Sequence, residues 1–204
     1  MGALPEGYTP PKSGSNYMKL AQGANKFRIM SSIIVGWEAW LEEDGKRKPF
    51  RSKRKDELPK PGPDDRIKFF WAMVVWSYTD QQLQILEITQ ASIRKALEEL
   101  EANEDWGDLR GYDITIKRDG EDLETTYSVI PSPKKTLDAD IQKEWKESEI
   151  RLDALYTGEN PFEPKSTELS DEELEDISNE IDKVSGKRKG PKDEVVIDPS
   201  DLPF

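Results

Sequence analysis

Residues 69–103, FFWAMVVWSYTDQQLQILEITQASIRKALEELEAN, carry the change of period that decides the fold class. From 69 to 78 almost every side chain is apolar, and five of them are rings: Phe69, Phe70, Trp71, Trp76 and Tyr78. A strand apolar on both faces is either central in a sheet or carries an aromatic exterior. Thr79-Asp80-Gln81 supplies a turn, and residues 82–88 (QLQILEI) continue as the neighbouring strand. At Thr89, a candidate N-cap, the spacing becomes helical: Ile93, Ala96, Leu97 and Leu100 recur at three- and four-residue intervals.

Toward the N-terminus, residues 26–40 (KFRIMSSIIVGWEAW) put Phe27, Ile29, Ile33, Val35 and Trp37 at odd positions. This pattern predicts a long strand with one buried face, with Ser31-Ser32 and Gly36 as bend or bulge sites. Residues 41–67 form a long polar connection with Gly45 and a PKPGP run. Toward the C-terminus, residues 112–118 and 124–130 predict two strands paired across Asp119-Gly120. The order is strand, long loop, strand, strand, helix, strand, strand. This is the order of a mainly β, five-stranded OB-fold barrel, here over residues 16–135. An SH3-like barrel or an α+β domain satisfies the same order.

Outside that region the patterning weakens. Residues 1–15 lack apolar periodicity and read as a flexible arm, and residues 136–204 as an acidic tail. A helix over 138–156 would put Ile141, Trp145, Leu152 and Leu155 on one side. A second, from Ser170, starts with a capping box to Glu173 and carries Leu174, Ile177, Ile181 and Val184.

Charge is distributed along the same lines. The 204 residues carry a net charge of −12, yet residues 1–135 hold 21 Lys/Arg against 22 Asp/Glu. Residues 136–204 hold 9 against 20, while residues 12–68 hold 14 against 8. A locally basic half is thus followed by an acidic third. The absence of both Cys and His excludes thiol catalysis, thiolate or imidazole metal sites and His-based general bases. No metal site or cofactor is expected. No apolar run is long enough to cross a membrane as a helix and no export signal is legible, so the chain reads as cytoplasmic.

Three features could carry function. The loop at 46–55 has seven cations in ten residues, Lys46, Arg47, Lys48, Arg51, Lys53, Arg54 and Lys55, around Phe50. Such a run can track phosphates with little sequence preference, and as a solvated loop it would do nothing more. The second feature is the aromatic strand. Its Lys68-bearing face is read as exterior, making Phe70, Trp76 and Tyr78 candidates for base stacking, although each could equally be core. Lys26, Arg28, Lys68, Lys117 and Trp40 extend this surface. The third is the terminus, where Asp198, Asp201, Leu202, Pro203 and Phe204 make an acidic-apolar peptide that can fill a small pocket with a basic rim.

The terminal DLPF resembles the acidic tip of bacterial single-stranded DNA-binding proteins, which ends Asp-Ile-Pro-Phe. The segments NYMKLAQGANKFRIMSS, VGWEAW, KFFWAMVVW, LQILEITQASIRKAL and GYDITIKRDGEDLETTYSVIPSPKK are similar to bacteriophage single-stranded DNA-binding proteins. That resemblance covers about residues 16–135 and the tip. It implies an OB fold without catalysis, DNA held by aromatic and basic side chains, and a tip that recruits replication or repair proteins. Some phage members carry a zinc-binding insertion, for which this chain has no Cys or His. The expected function is protection of single-stranded DNA in replication or recombination, with single-stranded RNA as the alternative ligand. A metal-dependent nuclease would need clustered carboxylates, whereas Glu87, Asp113 and Glu124 stand singly. An acidic DNA mimic would not carry the basic loop.

Overall fold

A computed structural model describes residues 15–43, 45–62 and 65–164, which all belong to one compact unit ending at Pro164. The candidate tip, Asp198 to Phe204, the helix expected from Ser170 and the N-terminal arm up to residue 14 lie outside the described residues.

The unit is mainly β. Its strands are β1 (Tyr17–Met18), β2 (Gly23–Ile29), β3 (Ile34–Glu43), β4 (Lys46–Ser52), β5 (Lys68–Ser77), β6 (Gln82–Ile88), β7 (Asp113–Asp119) and β8 (Thr126–Pro131). The helices are α1 (Ala91–Ala102), α2 (Ala139–Glu147) and α3 (Ala154–Thr157). All eight strands join one mixed sheet in the order β1-β6-β5-β2-β7-β8, with β3 on β5 and β4 on β3. Every pairing is antiparallel except β1 with β6.

The strand expected over 26–40 is present but broken. The chain leaves the ladder at residues 30–33, so β2 and β3 lie end to end along the same edge of β5. Met30 donates to the Val74 carbonyl at 2.9 Å, and the Ser31 hydroxyl accepts the Val74 N–H at 2.9 Å. A side chain thus replaces a backbone acceptor where the strand bends, which keeps the buried Val74 N–H satisfied. Gly36 is set by close approach: a Cβ there would lie 2.7 Å from the Ser52 carbonyl of β4.

Four expectations need correction. Residues 41–67 are not simply a polar connection, because β3 runs on to Glu43, turns at Gly45 (φ +69°) and returns as β4. The cations of 46–52 therefore sit on a strand. The N-cap of α1 is Gln90 and uses no side-chain bond, while the Thr89 carbonyl accepts from Arg94 at 2.6 Å. The hairpin after Asp119 has a longer loop, with a 3-10 turn at Asp122–Glu124. The acidic tail does not begin at 136: residues up to Phe162 pack onto the sheet, and two short helices, α2 and α3, replace the single one expected.

The sheet is covered on both faces. One core joins Phe27, Ile29, Met73, Val75, Leu86, Ile88, Ile114 and Ile116 to Ile93 and Leu97 of α1. The second joins Phe70, Ala72, Val74, Trp76 and Ile85 to Ile141, Leu152 and Leu155, with Trp145, Tyr156 and Phe162 packed against them. Lying between two apolar layers is why β5 is apolar on both faces. No helix among the described residues is long and apolar enough to cross a membrane.

Candidate nucleic-acid interface

The even-numbered face of β5 is not exterior. Phe70 is fully buried and Trp76 is 6% exposed, both inside the second core. The physical reason is the segment after Pro131, which lays Ile141, Leu152 and Leu155 over this face. Lys68 stays exposed because it begins the strand, so its charge says nothing about the residues that follow. Tyr78 is half-buried, and its hydroxyl donates to Asp113 at 2.8 Å. Burial and that bond push its phenol well above the ordinary range.

Asp113 on β7 gathers the nearby cations. Arg28 contacts it at 2.9 Å, Lys26 at 3.2 Å and Lys135 at 3.3 Å. Burial alone would raise this carboxyl, yet bonds from Tyr78, Lys26, Lys135 and Arg28 hold it below its usual value. Arg28 is itself buried, and its other donors go to the Arg110 and Lys135 carbonyls at 2.9 and 2.8 Å. Its role is internal pairing. Lys117 is exposed and lies 2.9 Å from Asp119.

The cations of 46–55 divide in the same way. Arg51 is drawn inward between Glu87 at 2.7 Å and Glu38 at 3.6 Å, with its guanidinium 5.7 Å from the Phe70 ring centroid. Burial first, and then the neighbouring Glu38, raise Glu87 to about 7 despite Arg51. Arg47 pairs with Asp65, Lys48 with Glu43 at 2.7 Å and Arg54 with Asp56 at 2.6 Å. Arg47 also lies 5.8 Å from the half-buried Trp40 ring, and Lys53 lies 5.4 Å from Tyr156. Phe50 is half-buried and lines a cleft of about 450 Å³ with Lys48, Arg51, Tyr17 and Tyr156. Among the described residues Lys46, Lys53, Lys55 and Lys68 have no carboxylate partner.

The opposite face of the same strands is the one that leaves rings at the surface. Register pairs Val35 with Trp71 and Trp37 with Phe69, placing all four on one face of β3 and β5. Trp37 and Phe69 meet edge to face with centroids 5.0 Å apart. Lys55 lies 5.0 Å from the Trp37 ring, and Arg94 of α1 lies 5.1 Å from the Phe69 ring. Arg94 is held there by bonds to the Phe69 and Thr89 carbonyls at 3.1 and 2.6 Å. Val35 is 46% exposed, and Trp37, Phe69 and Trp71 are half-buried. Their inner parts rest on the sheet while the rest meets solvent, an aromatic platform edged by two cations.

Sequence reasoning missed Trp37, Phe69, Trp71, Lys55 and Arg94 as one group. The alternation that separates the two faces of 69–78 was legible, but which face a later segment would cover was not. No family model, curated protein or solved structure matches the chain. Among the described residues no group of three carboxylates is placed to hold a metal ion.

Proposed function

We propose that the chain binds single-stranded DNA on the Trp37–Phe69–Trp71 platform and acts by binding rather than by catalysis. The observation that carries this reading is the cross-strand aromatic block, open to solvent and edged by Lys55 and Arg94. Rings accept any base by stacking and nearby cations accept the phosphates, a combination that suits an unpaired strand. A duplex hides its base faces and would gain only the phosphate contacts.

The strand order supports an OB-type arrangement. In the neighbour order β6-β5-β2-β7-β8, the third, second, first, fourth and fifth strands expected from sequence stand side by side. The helix lies between the third and fourth in the chain and joins the first core. A closed barrel would also need β6 to meet β8; instead β1 adds to β6. A role in phage replication or recombination, with Asp198, Asp201, Leu202, Pro203 and Phe204 recruiting replication or repair proteins, rests on the sequence resemblance alone.

Titration with oligo-dT, oligo-U and duplex, followed by Trp fluorescence, tests the reading. Oligo-dT should quench and bind far more tightly than duplex, with a log–log salt slope of about −0.7 per phosphate neutralised. Equal binding to duplex, or binding unchanged by Trp37→Ala and Phe69→Ala, overturns it.

A further inference from the structure

Beside the platform the surface sinks into a cleft of about 440 Å³ that shares Trp71 with it. That volume lies in the range of sites for small organic groups. Ile29, Ile33, Leu97 and Leu109 make the walls apolar, and Trp71 offers a ring to one side of any occupant. The polar residues around it differ in kind from those around Trp37 and Phe69. Exposed Glu98 and Glu101 of α1 line the cleft together with Asp108 and Arg110. Asp108 and Arg110 pair at 2.8 Å, and the Ser31 hydroxyl is bonded to the Val74 N–H and the Ser32 carbonyl. This leaves the two glutamates as the charged groups available to an occupant, beside the Ser32 hydroxyl. Among the described residues Glu98 makes no ion pair, and Glu101 accepts a long 3.4 Å bond from the Leu109 N–H and lies within electrostatic range of Arg110 without a direct ion pair.

This arrangement is polarised. Lys55 and Arg94 edge one end of the aromatic surface, and carboxylates edge the other. A nucleotide laid along it would keep its phosphate with the cations, because the glutamates repel phosphate. Its base would stack on Trp71 and present its edge to Glu98 and Glu101. Carboxylates only accept hydrogen bonds at neutral pH, so they discriminate among base edges by donor count. The Watson–Crick edge of guanine offers two adjacent donors, N1–H and N2–H, in a spacing that a carboxylate meets with both oxygens. Cytosine and adenine each offer an amino group, and thymine only N3–H.

We infer that the cleft beside Trp71 is a single-base subsite that prefers guanine over thymine in a bound strand. The inference rests on the proposed binding of single-stranded DNA at the adjoining platform. Its test compares an all-dT oligonucleotide with the same oligonucleotide carrying one central dG, at equal length and salt, by fluorescence anisotropy. The dG strand should bind about fivefold tighter, the lower end of what a good base-edge contact supplies. In the Glu98→Ala, Glu101→Ala double variant that ratio should fall to about one. Both strands should bind somewhat more tightly there, because two repelling charges are gone. The ratio is the readout, since loss of general repulsion moves both strands alike. Both positions are exposed on a helix, where Ala is well tolerated, and an unchanged melting temperature verifies the fold. If all-dT binds but dG gives no advantage, or the advantage survives in the double variant, the cleft serves another occupant and the inference is overturned while the platform stands. If all-dT itself does not bind, the proposed function fails first.

Discussion

The two faces of β5 are built from similar residues and meet opposite fates. The odd-numbered face starts with Phe69 and Trp71, the even-numbered face with Phe70 and ends with Trp76, yet only the first leaves its rings at the surface. The difference comes from what the rest of the chain lays over each. Residues 137–162 close the even face, while at the Trp37–Phe69 end of the odd face Arg94 and Lys55 lie against the half-buried rings. An aromatic side chain's role is therefore set by its cover and not by its own chemistry. The cations follow the same rule, since Arg28 is buried and Arg51 drawn inward against carboxylates, whereas Lys55 stands over a half-buried ring.

The most severe way to break this contrast is to remove the cover. A chain ending at residue 135 loses Ile141, Leu152 and Leu155, each contributing about 1.5–3 kcal/mol of apolar burial. That sum rivals the net stability of a small domain, so the truncated chain should melt far lower and bind a hydrophobic dye at the bared even face. A chain ending at residue 164 should melt like the full-length protein. Equal melting of the two truncations would mean that the cover contributes nothing.

A neighbouring pair of substitutions sharpens the comparison. Phe70→Ala should destabilise the fold by about 3–5 kcal/mol, as for a fully buried ring, with DNA affinity of the folded fraction kept. Trp37→Ala should do the reverse. Denaturant melts should move little, while oligo-dT affinity falls by about 1–3 kcal/mol with an almost unchanged salt slope. If Trp37→Ala instead behaves like Phe70→Ala, the platform is core and the face assignment fails.

Glu87 gives a pH test of the buried even-face network. Its pKa rises from 4.5 to about 7 in the folded protein, through burial first and the Glu38 carboxylate next. A raised acid stabilises the fold below its unfolded value, and that contribution is lost as pH climbs through its folded value. Melting temperature should thus decline between about pH 5 and about pH 8, and Glu87→Gln should flatten the decline. Asp113 has the opposite sign, because its lowered value stabilises above its unfolded pKa and is lost only in acid. A melting temperature that rises across the same window, in wild type and Glu87→Gln alike, would show that Glu87 is not held protonated.

The smallest effect belongs to the cations. Lys55→Ala should weaken oligo-dT binding slightly and reduce the salt slope by about 0.7 if Lys55 meets one phosphate. Arg54→Ala, already paired to Asp56 in the free protein, should change the slope less. A larger change at Arg54 than at Lys55 would place the phosphate path along the outer side of the turn after β4, away from the Trp37 ring.

The residues by themselves determined the main elements: the strand at 82–88, the break at Ser31-Ser32, the helical spacing from Ile93 to Leu100, and the hairpin after residue 112. Each of these is a local signal, a period of side chains or a turn residue acting within a few positions of the chain. Tertiary structure alone decided that 46–52 pairs as a strand, that Tyr17–Met18 adds to β6, and that Ile141 to Leu155 seal one face of the sheet. The alternation at 69–78 separated two faces without ranking them. That ranking depends on a segment about sixty residues away, bound through apolar contacts that have no direction and leave no periodic mark on β5 itself.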